Sequence, residues 1–315
     1  MNVMLSRVAG NLYWMGRYVE RAEHIARYVK ELYFSSIDAP IEEMDSRKFV
    51  LESILYMVGI FDMDDCDERE VLYKIGFDKE NSNSLFSIIT LARENARGAR
   101  NEISSEIWES INTHYHYFNT YPVENYLTAG LYDVMQKILE QTSVVRGKIY
   151  GSILHDETWS LISCAMHIER SLQMVRIINS KLHDVYKIKE LGYPVTKLSF
   201  EWTTLLRCTE SFDMNRKYYR SIPNKHEVLE FLMLNEHNPR SLQYSINRIA
   251  AYLSHISESK YIEEGSIEYK INKLNAQYNY FTIDEFKDDI YKLLNYTKET
   301  LFEISQDFEK KYLSY

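Results

Sequence analysis

Glycine and proline are scarce in this sequence. The chain has 315 residues, of which 10 are Gly and 5 are Pro. Together they make up about 5 % of the chain, against roughly 12 % in average proteins. Because both residue types end helices and build tight turns, so poor a chain makes few hairpins. The scarcity argues against an all-β sandwich or barrel, a glycine-rich nucleotide loop and Pro-rich disorder, and it leaves a chain of long helices.

The sequence also has few cysteines, no long apolar run and no net positive charge. The three cysteines, Cys66, Cys164 and Cys208, form no C-x-x-C pair, which is typical of a reduced cytosolic protein. No apolar run approaches the roughly 18 residues that span a bilayer, and the first ten residues have no apolar leader segment. The net charge of −9 argues against a general nucleic-acid binder. We therefore expect a cytoplasmic location, without membrane or nucleic-acid partners.

What the sequence has is helical periodicity. Apolar residues from Leu5 to Val29 recur at alternating steps of three and four, which predicts a first helix of about 30 residues. No alternating strand pattern separates the segments that follow. The predicted fold class is all-α, a multi-helix bundle with about ten or more helices in a single domain over 1–315. The further predicted helices cover 41–61, 67–75, 84–103, 104–117, 128–153, 156–187, 196–219, 224–236, 241–257, 266–280 and 283–312.

Three helix starts carry capping residues. Asp156 precedes the helix predicted to begin near it, and Asn224 has N-cap spacing with Glu227. Thr282 and Glu285 have the spacing of a capping box.

Two segments of the chain are similar at an offset of 149 residues. Residues 12–28 align with residues 161–177, so that Glu20 matches Glu169 and Arg21 matches Arg170. The alignment predicts an internal duplication, with halves 1–150 and 151–315. Chance similarity between amphipathic helices is the alternative.

Charged residues lie beside the apolar stripe of the first predicted helix. Glu20, Glu23 and Arg27 share one side, and Glu23 with Arg27 has the favoured i,i+4 order. A carboxylate at that edge needs an Arg or several donors if it is buried. One interpretation is a set of Glu–Arg pairs that fixes helix register; the other is a site where arginines hold an anionic or carboxylate ligand. The arginines available for either are Arg17, Arg21, Arg97, Arg170 and Arg176.

The sequence offers little support for a metal, a nucleotide or a nucleophile. Glu20 and His24 lack the Glu-x-x-His spacing of di-iron bundles. There is no nucleophile elbow, cysteine-protease signature, Walker loop or dinucleotide fingerprint. Cys164 and Cys208 lie in apolar helical segments, which predicts buried, inert thiols. We expect no cofactor and no metal, and no catalytic motif is found.

Two further segments are basic. Arg93, Arg97 and Arg100 are predicted on one helix face, either as a solvated surface or as an anion or partner site. Arg240 precedes a predicted helix start at Ser241, where the free N–H groups of the helix would favour an anion. Simple capping by Ser241 is the alternative there.

Several ordered segments resemble the bacterial alpha-E domain family. They are Met4 to Ala9 running into NLYWMGRYVERAEHIAR, ARENARGARNEISSEIWESIN at 92–112, HIERSLQMVR at 167–176, WTTLLRCTESF at 202–212 and VLEFLMLNEHNPRSL at 228–242. The resemblance runs from residue 4 to about 255, and the tail beyond 260 carries little of it. The family residues that it carries over are Asn11, Trp14, Gly16, Arg17, Glu20, Arg21, Glu23, Arg27, Glu94, Asn95, Arg97, Trp108, Glu169, Arg170, Pro239 and Arg240.

The resemblance implies a helical, cytoplasmic bacterial protein. It also implies partners: a circularly permuted ATP-grasp protein and a transglutaminase-like protein, in a setting of amide- or peptide-bond formation, with a peptide as a further candidate ligand. Two departures stand out, because Met166 and Leu172 occupy the positions that correspond to Arg17 and Glu23. These losses place the weight of any site on the first half and make a symmetric two-site arrangement doubtful.

Three functional hypotheses follow. The favoured one is a non-enzymatic accessory or scaffold component of an ATP-grasp-linked system. The second is an enzyme in which Glu20 or Glu94, with a pKa raised by burial, acts on a carboxylate- or phosphate-bearing substrate held by arginines. The third is a purely structural bundle that forms homo-oligomers through its tyrosine-rich surface. Gly10 and Gly16 lie inside the first predicted helix, where glycine is costly, so we expect another helix or a ligand to approach closely there.

Overall fold

The computed structural model describes residues 6–35, 46–61, 67–192, 195–257, 262–286 and 289–313. Within these ranges the chain is all-α, without a strand, as the periodicity predicts. Short π-helical or 3₁₀ turns cover Tyr126–Gly130, Ile283–Phe286 and Glu309–Leu313. The α-helices are α1 (Ser6–Ser35), α2 (Ser46–Val58), α3 (Glu68–Gly76), α4 (Leu85–Gly98), α5 (Ser105–Thr120), the single turn α6 (Val123–Asn125), α7 (Leu131–Gly151), α8 (Glu157–Glu190), α9 (Val195–Cys208), α10 (Phe212–Tyr219), α11 (Lys225–Met233), α12 (Leu242–Ile256), α13 (Ile267–Tyr280) and α14 (Ile290–Phe308).

Helix starts follow the predicted capping chemistry in two of three cases. Asp156 accepts hydrogen bonds from the first turn of α8, and Asn224 accepts one from the backbone N–H of Glu227 at the start of α11. Thr282 and Glu285 do pair, but they begin only the short 3₁₀ turn. The long helix α14 starts later and is capped by Asp289 instead.

One predicted helix, 196–219, is two helices in the structure. The turn that ends α9 is a Schellman motif, in which Ser211 N–H donates to Leu206 C=O and Glu210 N–H donates to Arg207 C=O. Glu210 takes the left-handed position, with φ of 54°, where glycine is usual. Because no glycine marks this break, the apolar pattern continues through it and predicts one helix. The predicted helix 41–61 lies partly outside the described residues, as do Cys66 and the beginning of the tail after 257.

Helix α1 lies at the centre of the molecule. It packs against α8, α4 and α7, while α12 covers another face of α8. The OH of Tyr13 hydrogen-bonds Ser305 on α14 at 2.9 Å, which joins the C-terminal helix to the same centre. The interior that these helices share is continuous and apolar.

Gly16 lies at a close approach between α1 and α8. A Cβ at Gly16 would lie 2.9 Å from the backbone oxygen of Ile162 on α8, whereas nothing lies within 4 Å of a Cβ placed at Gly10. The expectation of a close helix approach is thus confirmed at Gly16 and wrong at Gly10. None of the described helices is long and apolar enough to cross a bilayer.

Candidate functional site

The two Glu-Arg dipeptides of α1 and α8 exchange partners in the interior. Arg170 Nε donates to Glu20 Oε1 at 2.6 Å, and Arg21 Nε donates to Glu169 Oε1 at 2.6 Å. Both carboxylates are almost completely buried. The offset of 149 residues that aligns the two segments therefore also relates the two ion pairs.

Glu169 is held by donors on α1 and on its own helix. Arg17 Nε donates to its Oε2 at 2.7 Å, Arg21 Nη2 donates to the same oxygen at 3.1 Å, and Gln173 donates to Oε1 at 2.7 Å. Arg17 also donates to Ser305 on α14 at 2.6 Å. Burial alone would raise the pKa of Glu169, but the guanidinium groups of Arg17 and Arg21 lower its pKa well below the usual range. Glu169 is an ionised acceptor that joins α8 to α1, and Arg17 extends this connection to α14.

Glu20 and Glu23 form the core of a larger cluster, one helical turn further along α1. We call it the Glu20–Glu23 cluster. Besides residues of α1 and α8, it includes Arg146 of α7 and Glu210 of the turn between α9 and α10. It also includes Arg240, which precedes Ser241, the N-cap of α12. Its members are Glu20, Glu23, Arg27, Arg146, Arg170, Glu210 and Arg240.

Glu23 is surrounded by three guanidinium groups. Arg27 Nη2 lies 3.0 Å and Arg240 Nη2 lies 2.9 Å from Glu23 Oε1, and Arg146 contacts Oε2. Arg27 and Arg240 also pair with the half-exposed carboxylate of Glu210. The predicted Glu23–Arg27 pair is therefore confirmed, but it is one contact of a shared network.

Glu20 is ionised in this network. Burial would raise the pKa of its carboxyl, but Arg170 and Arg146 lower that pKa well below the usual range. The expectation that burial would raise the pKa of Glu20 towards that of a general acid is wrong, because burial brings the arginines with it. Burial together with Arg170 and Arg146 also lowers the pKa of Arg240, so positive charge is crowded here.

The cluster carries more positive than negative charge. Four guanidinium groups face three carboxylates. The buried ring of His24 adds no charge near neutral pH, since burial lowers its pKa to about 4. Glu20, Glu23 and His24 place possible ligand atoms within 4.8 Å of one another. A divalent cation at those atoms would have to displace guanidinium groups from the same carboxylates, which makes this an unfavourable metal site.

Other predicted residues lie away from the cluster. The described polar contacts of Glu94, Asn95 and Arg97 are with neighbours on α4: Glu94 pairs with Arg93 and Arg97, and Asn95 donates to the backbone oxygen of Leu91. Arg97 is largely exposed. The described residues therefore do not bring Glu94 into one site with Glu20 and Glu169.

Of the three arginines predicted on one helix face, Arg93 and Arg97 lie one turn apart on α4 and both pair with Glu94, whereas Arg100 lies beyond the end of the helix. Helix α4 ends at Gly98, and the guanidinium groups of both Arg93 and Arg100 lie over the ring of Trp108. These cation–π contacts pack Arg93 and Arg100 on an aromatic surface.

The remaining family positions support helix contacts. Asn11 lies against Gly98 at the end of α4, and the Trp14 ring lies under the guanidinium group of Arg17. The backbone oxygen of Pro239 accepts a hydrogen bond from Arg170 Nη1 at 3.3 Å. Ser241 caps α12 by accepting from Tyr244 N–H, so the alternative reading of this loop, simple capping, is confirmed, and Arg240 points to Glu23.

Sequence reasoning missed two parts of this interior. Arg146 joins the cluster from a segment without any motif, and Glu210 lies within the family segment 202–212 but is not among the residues carried over from it. A second buried ion-pair group also lies on α8, where Lys181 Nζ contacts Asp184 at 2.9 Å and also contacts Glu201 of α9. Ser53 donates to Asp184 at 2.6 Å. The only signal for this group was the i,i+3 spacing of Lys181 and Asp184, which is common on exposed helices.

The two described thiols are inert. Cys164 and Cys208 are completely buried, and burial raises the pKa of both thiols well above the ordinary value. The prediction for these cysteines is confirmed. Cys66 lies outside the described residues.

Comparison with known proteins gives one family and a few relatives. Residues 4–313 match the Alpha-E family, described as a predicted alpha-helical domain with a conserved ER motif. The match extends well past residue 255, so the tail belongs to the family domain as well. The chain is also similar to uncharacterized proteins of Mycobacterium bovis and Mycobacterium tuberculosis, at 24 % identity over 276 residues.

These relatives are much longer than the region they share with the chain. The aligned part covers 80 % of this chain but 30 % of each relative. No solved structure matches the chain. The buried Glu-Arg dipeptides at 20–21 and 169–170 are of the type that the family description names, and the match spans nearly the whole chain. The chain therefore belongs to the Alpha-E family.

Proposed function

We propose that this domain is a non-catalytic accessory component of an ATP-grasp-linked system that forms amide or peptide bonds in the cytoplasm. The observation that carries the non-catalytic part is the state of the carboxylates in the two Glu-Arg dipeptides. Glu20 and Glu169 are buried, and their pKa values are held low by arginines. Such groups hold helices in place and are poor proton donors or acceptors near neutral pH.

The partner part of the proposal rests on the family resemblance. Members of the family look like partners of circularly permuted ATP-grasp proteins and of transglutaminase-like proteins. The lengths of the mycobacterial relatives support a modular role, since the matched region is 30 % of each. A domain that is one part of a longer chain is suited to bringing a catalytic unit and its peptide together.

Association with an ATP-grasp partner tests this proposal. The full chain and a circularly permuted ATP-grasp protein from the same genome would be mixed and their affinity measured by calorimetry, with and without ATP. We expect a Kd in the micromolar range or lower. No association at concentrations of about 100 µM, under either condition, would contradict the accessory role.

A matched pair of variants separates an accessory role from catalysis. Glu20→Gln removes the central carboxylate, and Glu94→Gln removes a partly exposed one. If the domain only assists its partner, any product formed by the mixture should follow the folded fraction of each variant. A folded Glu20→Gln protein that binds the partner normally, yet loses product formation a hundredfold, would favour the enzyme hypothesis instead.

A further inference from the structure

A cleft opens beside the Glu20–Glu23 cluster, between α7, α8 and α12. Its volume is about 450 Å³, within the range of small-molecule sites. The guanidinium groups of Arg146, Arg170 and Arg248 line it, and no carboxylate does among the residues that the structure describes. A cleft with cationic and no acidic walls is electrostatically suited to an anion.

The charge of the cleft is not cancelled by its surroundings. Arg146 and Arg170 belong to a cluster with four guanidinium groups and three carboxylates, which leaves an excess of one positive charge. Arg248 adds another. It stacks over the Tyr244 ring at 5.0 Å, and in the described part of the chain no carboxylate lies within ion-pair distance of it. The excess near the cleft is therefore about two positive charges, which one phosphate group would roughly neutralise and one carboxylate would halve.

Arg170 has a donor to spare on this side. Its Nε donates to Glu20 and its Nη1 to the backbone oxygen of Pro239. Within the described ranges its Nη2 makes no hydrogen bond to protein. The side chain is about nine-tenths buried, but Nη2 is not among the buried atoms that lack a partner, so this N–H group can be reached from the cleft that Arg170 lines. A ligand oxygen in the cleft would satisfy it.

Aromatic side chains also line the cleft. The Trp159 ring meets the Tyr252 ring edge-on at 5.2 Å, and the His155 ring stacks on Trp159 at 4.1 Å. Tyr150 lines the same cleft and is mostly exposed. His167 at the base is neutral, since burial lowers its pKa well below the ordinary value. These walls favour a planar or aromatic body next to the anionic group.

We propose that this cleft binds a small ligand that carries a carboxylate or phosphate group on a planar or aromatic body. Arg170 and Arg146 would bind the oxyanion at the base, Arg248 would bind it from the rim, and the Trp159 side would contact the ring. Binding at this site does not require the partner proposed above, so calorimetry on the isolated chain can test it.

Two pairs of probes distinguish the source of the oxyanion. Adenosine monophosphate and adenosine differ only in the phosphate, and the dipeptide Ala-Tyr and its C-terminal amide differ only in the carboxylate. We expect at least one charged probe to bind to the chain with a Kd below 1 mM, and its uncharged counterpart to bind at least tenfold more weakly. Whichever charged probe binds identifies the source. Equal binding of charged and uncharged probes, or no binding by either charged probe, would overturn the proposal.

Variants locate the binding. Arg248 is exposed and outside the ion-pair network, so Arg248→Gln should fold normally and weaken the charged probe at least tenfold. Arg216→Gln removes an equally exposed arginine from α10 and should change nothing. Trp159→Leu should weaken both members of the binding pair. Unchanged affinity in Arg248→Gln, or an equal loss in Arg216→Gln, would show that the probe is not held by this cleft.

Discussion

At the scale of single residues, burial and charge act together on Glu20. Its carboxylate has almost no exposed surface, and a lone buried carboxylate would be very costly. Arg170 at 2.6 Å and the neighbouring Arg146 compensate for that cost. The net worth of such a pair against an apolar replacement is small, but breaking it leaves a buried charge without a partner.

Removal of the Glu20 charge should therefore be strongly destabilising. We expect Glu20→Gln to lower the free energy of unfolding by about 3–5 kcal/mol, because Arg170 is left without its carboxylate. Urea unfolding followed by circular dichroism measures this. Glu94→Gln is the matched control, since it breaks partly exposed pairs and should cost at most about 1 kcal/mol. Similar losses in the two variants would mean that the Glu20 pair is not special.

Residue-level prediction from sequence worked where the signal was local. The i,i+4 spacing predicts the Glu23–Arg27 pair, and the position of Glu20 beside the apolar stripe makes it a candidate for a buried carboxylate. The roles of Arg146 and Glu210 depend on contacts between segments far apart in sequence, which no local pattern encodes. Glu94 and Arg97 are the same residue types as the cluster residues, but they lie at the surface because their side of α4 faces outwards.

At the scale of helices, the contact between α1 and α8 depends on one small residue. Because Gly16 has no side chain, the backbone of Ile162 can pack close to it. A Cβ at this position would lie only 2.9 Å from the backbone oxygen of Ile162. The same approach brings Arg17 and Arg21 within reach of Glu169. Close packing and ion pairing are therefore consequences of the same helix separation.

Two glycine substitutions on α1 should have opposite effects. Gly16→Ala pushes α1 from α8, and we expect a loss of about 1–3 kcal/mol of stability from overpacking. Gly10→Ala meets open space and should stabilise the protein by up to about 1 kcal/mol through helix propensity. Thermal unfolding of both variants checks this. A stabilising Gly16→Ala would contradict the close approach of the two helices.

Helix existence was predictable, and helix boundaries were less so. Periodicity gave α1 in full because its apolar stripe is unbroken. It joined α9 to α10 because a Glu, at φ of 54°, takes the position where a Gly would signal a helix end. It began α14 early because the capping box at Thr282 belongs to a single 3₁₀ turn. Both errors arise where the sequence has no glycine or proline to mark the break.

At the scale of the whole molecule, buried neutral histidines make stability depend on pH. His24 and His114 are buried, and burial lowers the pKa of each ring to about 4. An unfolded histidine titrates near pH 6.5, so the unfolded chain binds more protons in between. Each ring therefore contributes stability above pH 6.5 that is lost as the pH falls towards 4.

The pH dependence can be assigned with a single substitution. From the two pKa values, His114 should cost the folded state about 2 kcal/mol on going from pH 7.5 to pH 5. We expect His114→Leu to reduce the loss of unfolding free energy over that range by about this amount. His237 is exposed on its loop, and His237→Leu should leave the pH dependence as it is. An unchanged slope in His114→Leu would contradict the burial of a neutral ring.

The whole account depends on the exchange of partners between the Glu-Arg dipeptides of α1 and α8. A double-mutant cycle on Glu20→Gln and Arg170→Met, read as the free energy of unfolding in urea, measures this most directly. We predict that the double variant loses less than the sum of the single variants, with a coupling energy of about 2 kcal/mol or more. Losses that add to within about 0.5 kcal/mol would show that the two residues are not coupled, and would contradict the central ion pair.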